Sequence, residues 1–226
     1  MEINADFSKR VAVHAGRLPW KASPMAGVDR RMLDRLGDEV ARATSIVRYA
    51  PGSHFSPHVH TGGEEFLVLD GVFQDEHGDF PVGSYIRNPP QSSHTPGSAP
   101  GCVIFVKLWQ FDPDDRAAVK LDTGQMPYED HPHDAAVRTK PLYRDDREDV
   151  TLEEWAPGAS IQLRDHRGLE VLVLDGGFEE AGEGFARQSW LRLPDGANTT
   201  ATAGPSGAHV WTKRHHLHQP PRTPAQ

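Results

Sequence analysis

A chain of 226 residues has room for one large domain or two small ones, each with a sizeable core. Its formal net charge of −8 argues against nucleic acid or an anionic membrane as a general partner, and no apolar run is long enough to span a bilayer. The single cysteine, Cys102, excludes an intramolecular disulfide framework, while 19 prolines and 21 glycines favour a turn-rich β fold over helices.

The first segment, MEINADFSKRVAVHAG, lacks the apolar centre of a signal peptide, which points to the cytoplasm. Leu18-Pro19-Trp20 reads as an extended piece that lays an aromatic ring on the following domain. Between Met25 and Glu39, the near-helical spacing of Met32, Leu33 and Leu36 competes with an edge strand in a short, charged stretch. Thr44–Tyr49 reads as a strand, and Ala50-Pro51-Gly52 turns it into a histidine-rich region. Further strands are expected over 66–69, 84–87 and 103–109. Cys102 opens the apolar run GCVIFVKLW, where a small core residue is the expected role. Residues 112–143 are polar and interrupted by prolines, as a connection would be.

The region Pro51–Pro96 carries the chemistry. Side chains two apart share a strand face, so His58 and His60 point one way and Val59 the other. Thr61-Gly62-Gly63 is a turn signal, and Glu64 opens the strand EEFLVLDG, so a hairpin returns Glu64 to the two histidines. His94 follows Asn88-Pro89-Pro90-Gln91 after the strand Ser84–Arg87. Three imidazoles and a carboxylate suit zinc, iron(II), manganese, nickel or copper(II). In a chain of this composition the pattern HxHxxxE arises by chance about 0.04 times, so coincidence is a poor account of it.

A second copy follows at an offset of 105 to 106 residues. TSIVRYAPG at 44–52 answers to TLEEWAPG at 151–158, FLVLDGVF at 66–73 to VLVLDGGF at 171–178, SYIRNP at 84–89 to SWLRLP at 189–194, and GCVIFVK at 101–107 to GAHVWTK at 207–213. Two periods of this length indicate duplicated domains rather than a solenoid. The chemistry is not duplicated. Arg164 stands for His58, His166 for His60 and Thr199 for His94. Glu64 answers to Leu169 when aligned on the LDG run and to Glu170 when aligned from the histidine side. At most two ligands remain, too few to hold a divalent ion against water, so the second copy is expected to be structural or a cup without metal. Glu65 and Glu170 should face away from the cup. The matched pair Arg87 and Arg192 suggests a shared structural ion pair more than substrate-carboxylate binding, a role left to Arg87 only if it faces the cup. The segment TKRHHLHQPPRTPAQ, with His215, His216 and His218, offers a metal-binding tail as one reading, but its prolines and terminal position favour disorder.

The run Gly52-x5-His58-x-His60-x3-Glu64-x6-Gly71 resembles the first cupin motif, and Gly83-x5-Pro89-x4-His94 resembles the second, with Gln91 where glycine is usual. GGEEFLVLDGVFQDEHGDFPVGSYIRNPP resembles the ChrR-like cupin family. The resemblance implies an all-β chain of two tandem cupin (double-stranded β-helix, jelly-roll) barrels, the second degenerate. It implies His58, His60, Glu64 and His94 as ligands of one divalent transition metal, zinc or iron foremost, with manganese or nickel as alternatives. The layout expected is an N-terminal barrel with the metal over 1–112, a linker over 113–139, a degenerate barrel over 140–218 and a flexible tail over 219–226. The barrels are expected to pair as an intrachain pseudo-dimer, with a homodimer also open. Two functions follow: a metal-holding sensor or binding module for a small molecule or oxidant, and an Fe(II)-dependent dioxygenase acting on a diketone or phenol. No catalytic residue beyond the ligands stands out, and without the helical, cysteine-bearing portion of an anti-sigma factor the chain is not expected to be a complete one.

Overall fold

The computed structural model describes residues 1–38 and 40–218; the tail expected over 219–226 lies outside the described residues. The described chain is all β, with 3-10 turns as its only helical pieces, and none of its helices is long and apolar enough to cross a membrane. It divides into two compact units, each a jelly roll.

In the first unit the pairing runs from Glu2–Ile3 through Val28–Gly37, Ala41–Tyr49, Cys102–Leu108, Glu64–Asp75 and Ser84–Asn88 to Val119–Asp122. A separate ribbon pairs His58–His60 with Ser92–His94. The stretch left open between helix and edge strand is therefore a strand, stitched to Ala41–Tyr49 with a bulge at Leu33. Bulging lets Leu33 be fully buried while the charged residues around it keep the alternation of a strand. The Trp20 ring meets two guanidinium groups, 4.1 Å from Arg31 and 4.6 Å from Arg48. Inside, Val28, Val47, Phe66, Val68, Phe73, Ile86, Cys102, Ile104 and Val106 form one core, and burial pushes the Cys102 thiol up to about 11.

In the second unit Glu129–Asp130, Val137–Arg144, Asp149–Trp155, Thr199–Arg214, Leu169–Glu180 and Ser189–Leu193 pair in that order, and Val11–His14 closes the edge. Its core of aliphatic and aromatic side chains includes Trp155, Leu163, Leu169, Phe178 and Phe185. The LDG run has the same backbone role in both units. Gly71 (φ +68°) and Gly176 (φ +66°) are left-handed, and an added Cβ would meet Gly101 O at 2.0 Å and Gly207 O at 2.4 Å.

The boundaries differ from the sequence-order layout. The first unit comprises Met1–Ala5 and Pro19–Gln125; the second takes Asp6–Leu18 and the described residues from Met126 on. Val11–His14 precedes the first repeat yet pairs with Ser189–Leu193, while Val119–Asp122 precedes the second repeat yet pairs with Ser84–Asn88. The two leading strands are thus exchanged. A 3-10 turn follows each, Ala15–Arg17 and Thr123–Gln125, and Pro19-Trp20 matches Pro127-Tyr128. The linker expected over 113–139 contains the Val119–Asp122 and Glu129–Asp130 strands and the start of Val137–Arg144, because short polar edge strands carry little apolar signal. The exchanged arms also cap the matched arginines. Arg192 lies 4.0 Å over Phe7 and donates to Asp6 O, and Arg87 lies 4.2 Å over Phe111 and pairs with Asp115 at 2.7 Å.

Ladder donors alternate along an antiparallel edge, so one of Ala12→Pro and Val13→Pro must remove a bond to the Ser189–Leu193 strand. That variant should lose about 1–3 kcal/mol from the denaturant transition followed by Trp190 fluorescence. Amide exchange should accelerate over 189–193 and stay slow over 84–88; acceleration over 84–88 instead would show the arm pairing within its own repeat.

Candidate metal centre

The centre is built on the ribbon that pairs His58–His60 with Ser92–His94. His94 stands directly opposite His58, and Ser92 opposite His60. The turn that carries the chain from His60 to Glu64 has no room for side chains. A Cβ on Gly62 would fall 2.0 Å from the Trp109 ring, and one on Gly63 2.4 Å from Phe111. Gln91 occupies the position where glycine is usual and adopts φ +73°, with its N–H bonded to His60 O at 2.9 Å. The backbone therefore keeps the left-handed turn of the motif, and the hydrogen bond to the first ribbon strand holds it there.

The three histidine rings form a triangle with centroid separations of 4.7, 4.7 and 5.1 Å, and one ligand nitrogen from each lies within 4.8 Å of the other two. His60 Nε2 and His94 Nε2 face each other at 2.9 Å; Glu64 Oε2 is 3.4 Å from the first and 3.6 Å from the second. Glu64 thus sits against two of the three histidines, outside the group within mutual reach. Glu65, on the opposite face, is buried and accepts the Tyr85 hydroxyl at 2.9 Å.

Two hydrogen bonds orient the rings. His94 Nδ1 faces Asp75 Oδ2 at 3.3 Å and His58 Nδ1 faces the carbonyl of Ser56 at 3.2 Å, so donation by both Nδ1–H groups leaves the Nε2 lone pairs of these two histidines for the centre. Asp75 is itself fixed, its Oδ1 accepting the His77 N–H at 2.7 Å. The sequence reading missed Asp75; the clue within reach was Glu180, the acid in the same place in the second copy.

Electrostatics and spacing agree. Burial, then the neighbouring His58, pushes the His60 imidazole down to about 4, and burial lowers His94 against the pull of Glu64. Burial also raises Glu64, opposed by His94 and by the Asn88 amide. Neutral imidazoles are the ligating form. Donors about 2.1 Å from a common ion stand about 3.0 Å apart along an octahedral edge and about 3.4 Å along a tetrahedral one, close to the separations among His60, His94 and Glu64. The donor set fits a first-row divalent ion.

In the second unit the same positions are chemically empty. Leu163 faces Thr199 as His58 faces His94. Leu169 faces Leu193 and Arg214 as Glu64 faces Asn88 and Leu108. Counting back four residues from Leu169, as His60 is four from Glu64, gives Asp165. His166 is therefore not the counterpart of His60 but a loop residue, buried, whose Nδ1 accepts the Gly168 N–H at 3.0 Å. Arg164 likewise gives way to Leu163. Counting from the histidine rather than from the strand register caused the one-residue error. Glu170 matches Glu65, opposite Arg192 and Lys213 as Glu65 is opposite Arg87 and Lys107. The histidines expected to be disordered are placed: His216 Nε2 is 2.8 Å from the buried Glu170, and His218 Nδ1 is 2.7 Å from Asp195.

Two jelly-roll units, one with histidines gathered in its cup, make this a bicupin. The chain belongs to the ChrR cupin-like domain family, whose profile matches it twice, over residues 8–112 and 116–218. Each match takes in a leading arm. A comparison with curated protein sequences gave no match. Among solved structures, the chain is similar to a proposed dioxygenase from Nostoc punctiforme (15% identity, 97% of this chain and 87% of that one, TM-score 0.75). It is also similar to a cupin 2 conserved barrel domain protein from Leptotrichia buccalis (12%, 94% and 99%, TM-score 0.61). A third is a bacterial pirin from Escherichia coli in complex with nickel(II) (14%, 91% and 98%, TM-score 0.61). At these identities the likeness establishes the fold.

The lowered His60 value gives a signed prediction. An unfolded histidine takes its proton near 6.5 and the folded one near 4, so this group's contribution to metal-free stability is complete above 6.5 and is lost as pH falls toward 4. Glu64, raised by burial, contributes with the opposite sign, fully below 4.5 and less as pH rises through its folded value. Ring-proton NMR of the metal-free protein should show His60 charging at about 4; a midpoint near 6.5 would show that the cup is open to water.

Proposed function

We propose that the first unit is a metal-binding cupin in which His58, His60 and His94, with Glu64, hold one divalent transition ion, and that the protein acts as a sensor or binding module for a small molecule. The observation that carries this reading is the convergence of the ring nitrogens and one carboxylate oxygen at ligand spacing inside a buried cup. A bound ion of this kind supplies a Lewis-acidic centre with coordination positions open to an oxygen ligand. The chain's own residues do the rest. Asp75 and the Ser56 carbonyl hold the His94 and His58 rings in place, Asn88 steadies the Glu64 carboxylate at 3.3 Å, and Phe73, itself packed on Phe66, lies 5.7 Å from the His94 ring.

The second reading is a dioxygenase with iron(II) at the same residues. It draws support from the fold shared with the proposed dioxygenase, and the open positions that suit a sensor's ligand suit oxygen and substrate as well. Zinc or iron is the expected occupant, with nickel or manganese as alternatives. The second unit is proposed as structural, its cup positions being Leu163, Asp165, Leu169 and Thr199.

Metal analysis after purification without chelator should find one equivalent per chain. His60→Ala should abolish it and lower the melting temperature by linkage. Asp75→Asn should weaken affinity roughly 10- to 100-fold, as loss of an orienting carboxylate does. Glu65→Ala should spare the ion; if it strips the ion while Glu64→Ala does not, the facing of the strand is reversed. Oxygen uptake on a diketone and phenol panel separates the readings: turnover with bound iron supports the enzyme, tightly held zinc without turnover the binding module.

A further inference from the structure

The first unit has an arginine on the interior side of its sheet with no acid to meet it. Arg30 lies two residues from Val28 and directly opposite Val47, and both are core residues. Directly opposed and alternate residues share a face, so the Arg30 side chain leaves the backbone on the cup side. Tyr49, opposite Val28 and Cys102, is on that face too and packs against the same core. Arg30 is half-buried, and its one hydrogen bond runs from Nη2 to Ser23 Oγ at 2.6 Å. Among the described residues no carboxylate comes within ion-pair reach of it. Burial and then the like charge of Arg35 lower its guanidinium. Tyr49, one same-face pair along the ladder from Arg30, meets the Phe73 ring edge-on at 5.8 Å, and Phe73 lies 5.7 Å from the His94 ring, so a chain of packed rings leads from the arginine's neighbour to the metal centre.

The second unit shows how this fold treats an interior arginine that is not meant for a ligand. Arg214, at the position of Leu108, pairs with Glu153 at 2.7 Å. Glu153 also accepts from Trp155 Nε1 at 2.8 Å and Thr151 Oγ1 at 3.0 Å. Glu153 stands where the first unit has Val47, each opposite the strand that precedes it. The first unit has neither member of that pair, Leu108 standing for Arg214 and Val47 for Glu153; its interior arginine, Arg30, takes the place of Thr139 and has no acid opposite it. A guanidinium drawn partly out of water without a partner is costly, and a carboxylate offered by a ligand relieves that cost with two parallel hydrogen bonds. Lys21, opposite Arg30 and exposed, adds a second positive charge on the same side of the sheet in a protein whose net charge is −8.

We propose that the ligand of the first cup is a small carboxylic acid, which meets the metal through a chelating oxygen pair and places its carboxylate on Arg30. This deepens the metal-binding reading and rests on it.

The test uses full-length protein loaded with zinc and two phenolic probes that share a chelating head, protocatechuate and its neutral amide, titrated by calorimetry. The acid should bind roughly tenfold more tightly than the amide, the factor expected of one charge-assisted pair. Arg30→Gln should erase that preference while leaving zinc content and amide affinity as in the unchanged protein. Arg30→Lys, which keeps charge but not the fork, should retain part of it and serves if the glutamine variant does not fold. Arg48→Gln, which removes an arginine paired with Asp29 on the other face, should change nothing. Equal binding of acid and amide, binding of neither by the zinc form, or a preference that survives in Arg30→Gln overturns the proposal alone. Failure of the unchanged protein to retain any of zinc, iron(II), nickel or manganese overturns the metal reading and this inference with it.

Discussion

The centre depends on one short ribbon. Pairing His58–His60 against Ser92–His94 puts His94 beside His58, and the two-residue period of a strand puts His60 on the same side. A slip of one residue would turn the histidines to solvent and bring Val59 and Ser93 inward. The ribbon has only three residues on each side, so its register must come from its ends. One end is the Gly62-Gly63 turn, pressed against Trp109 and Phe111. The other is Gln91, held left-handed by its bond to the His60 carbonyl. A glutamine in a glycine's conformation carries backbone strain, and it persists because the neighbouring structure over-determines it.

The two units separate scaffold from chemistry. On the face away from the cup the pattern is kept: Glu65 with Arg87 and Lys107, Glu170 with Arg192 and Lys213, in the same register. Toward the cup it is rewritten. His58 and Glu64 give way to Leu163 and Leu169, and Arg214, Glu153, Thr151 and Trp155 bond to one another. Even the acid behind the fourth ligand position persists with new work. Asp75 holds His94, whereas Glu180 accepts from Thr199 at 2.8 Å and pairs with Arg10 at 2.7 Å.

What was legible in the sequence follows from what is local. The spacing of His58, His60 and Glu64 and the repeated LDG run reflect strand period and a glycine that cannot be replaced, and both show in one copy. The outward facing of Glu65 was readable because alternation is strict. Register across a loop was not: DHRGL between Asp165 and Leu169 offers a histidine one position from where HTGGE has one, and only the strand pairing decides between them. The exchange of leading strands was hidden because VAVH and VKLD are four-residue edges with little apolar content, although the longer match of VAVHAGRLPW to VKLDTGQMPY was present to be found. Arg30 was invisible as a ligand group because its meaning lies in a partner it lacks.

The contrast in interiors also sets how each unit is stabilised. The second closes its core with apolar side chains and a satisfied ion pair, an arrangement that stands without a ligand. The first gathers two histidines whose protons are driven off, a carboxyl driven toward neutrality and an arginine without an acid. Near neutral pH the buried carboxyl and the arginine cost folding free energy in the metal-free state while the imidazoles, already neutral, stand ready as ligands, and the two costly groups become favourable when an ion and an anion arrive. Binding to the folded cup alone then adds directly to stability. The unit in which three histidines converge is also the one that leaves Arg30 without an acid, whereas the second unit carries Leu163 and Leu169 at the matched positions and an arginine paired with Glu153.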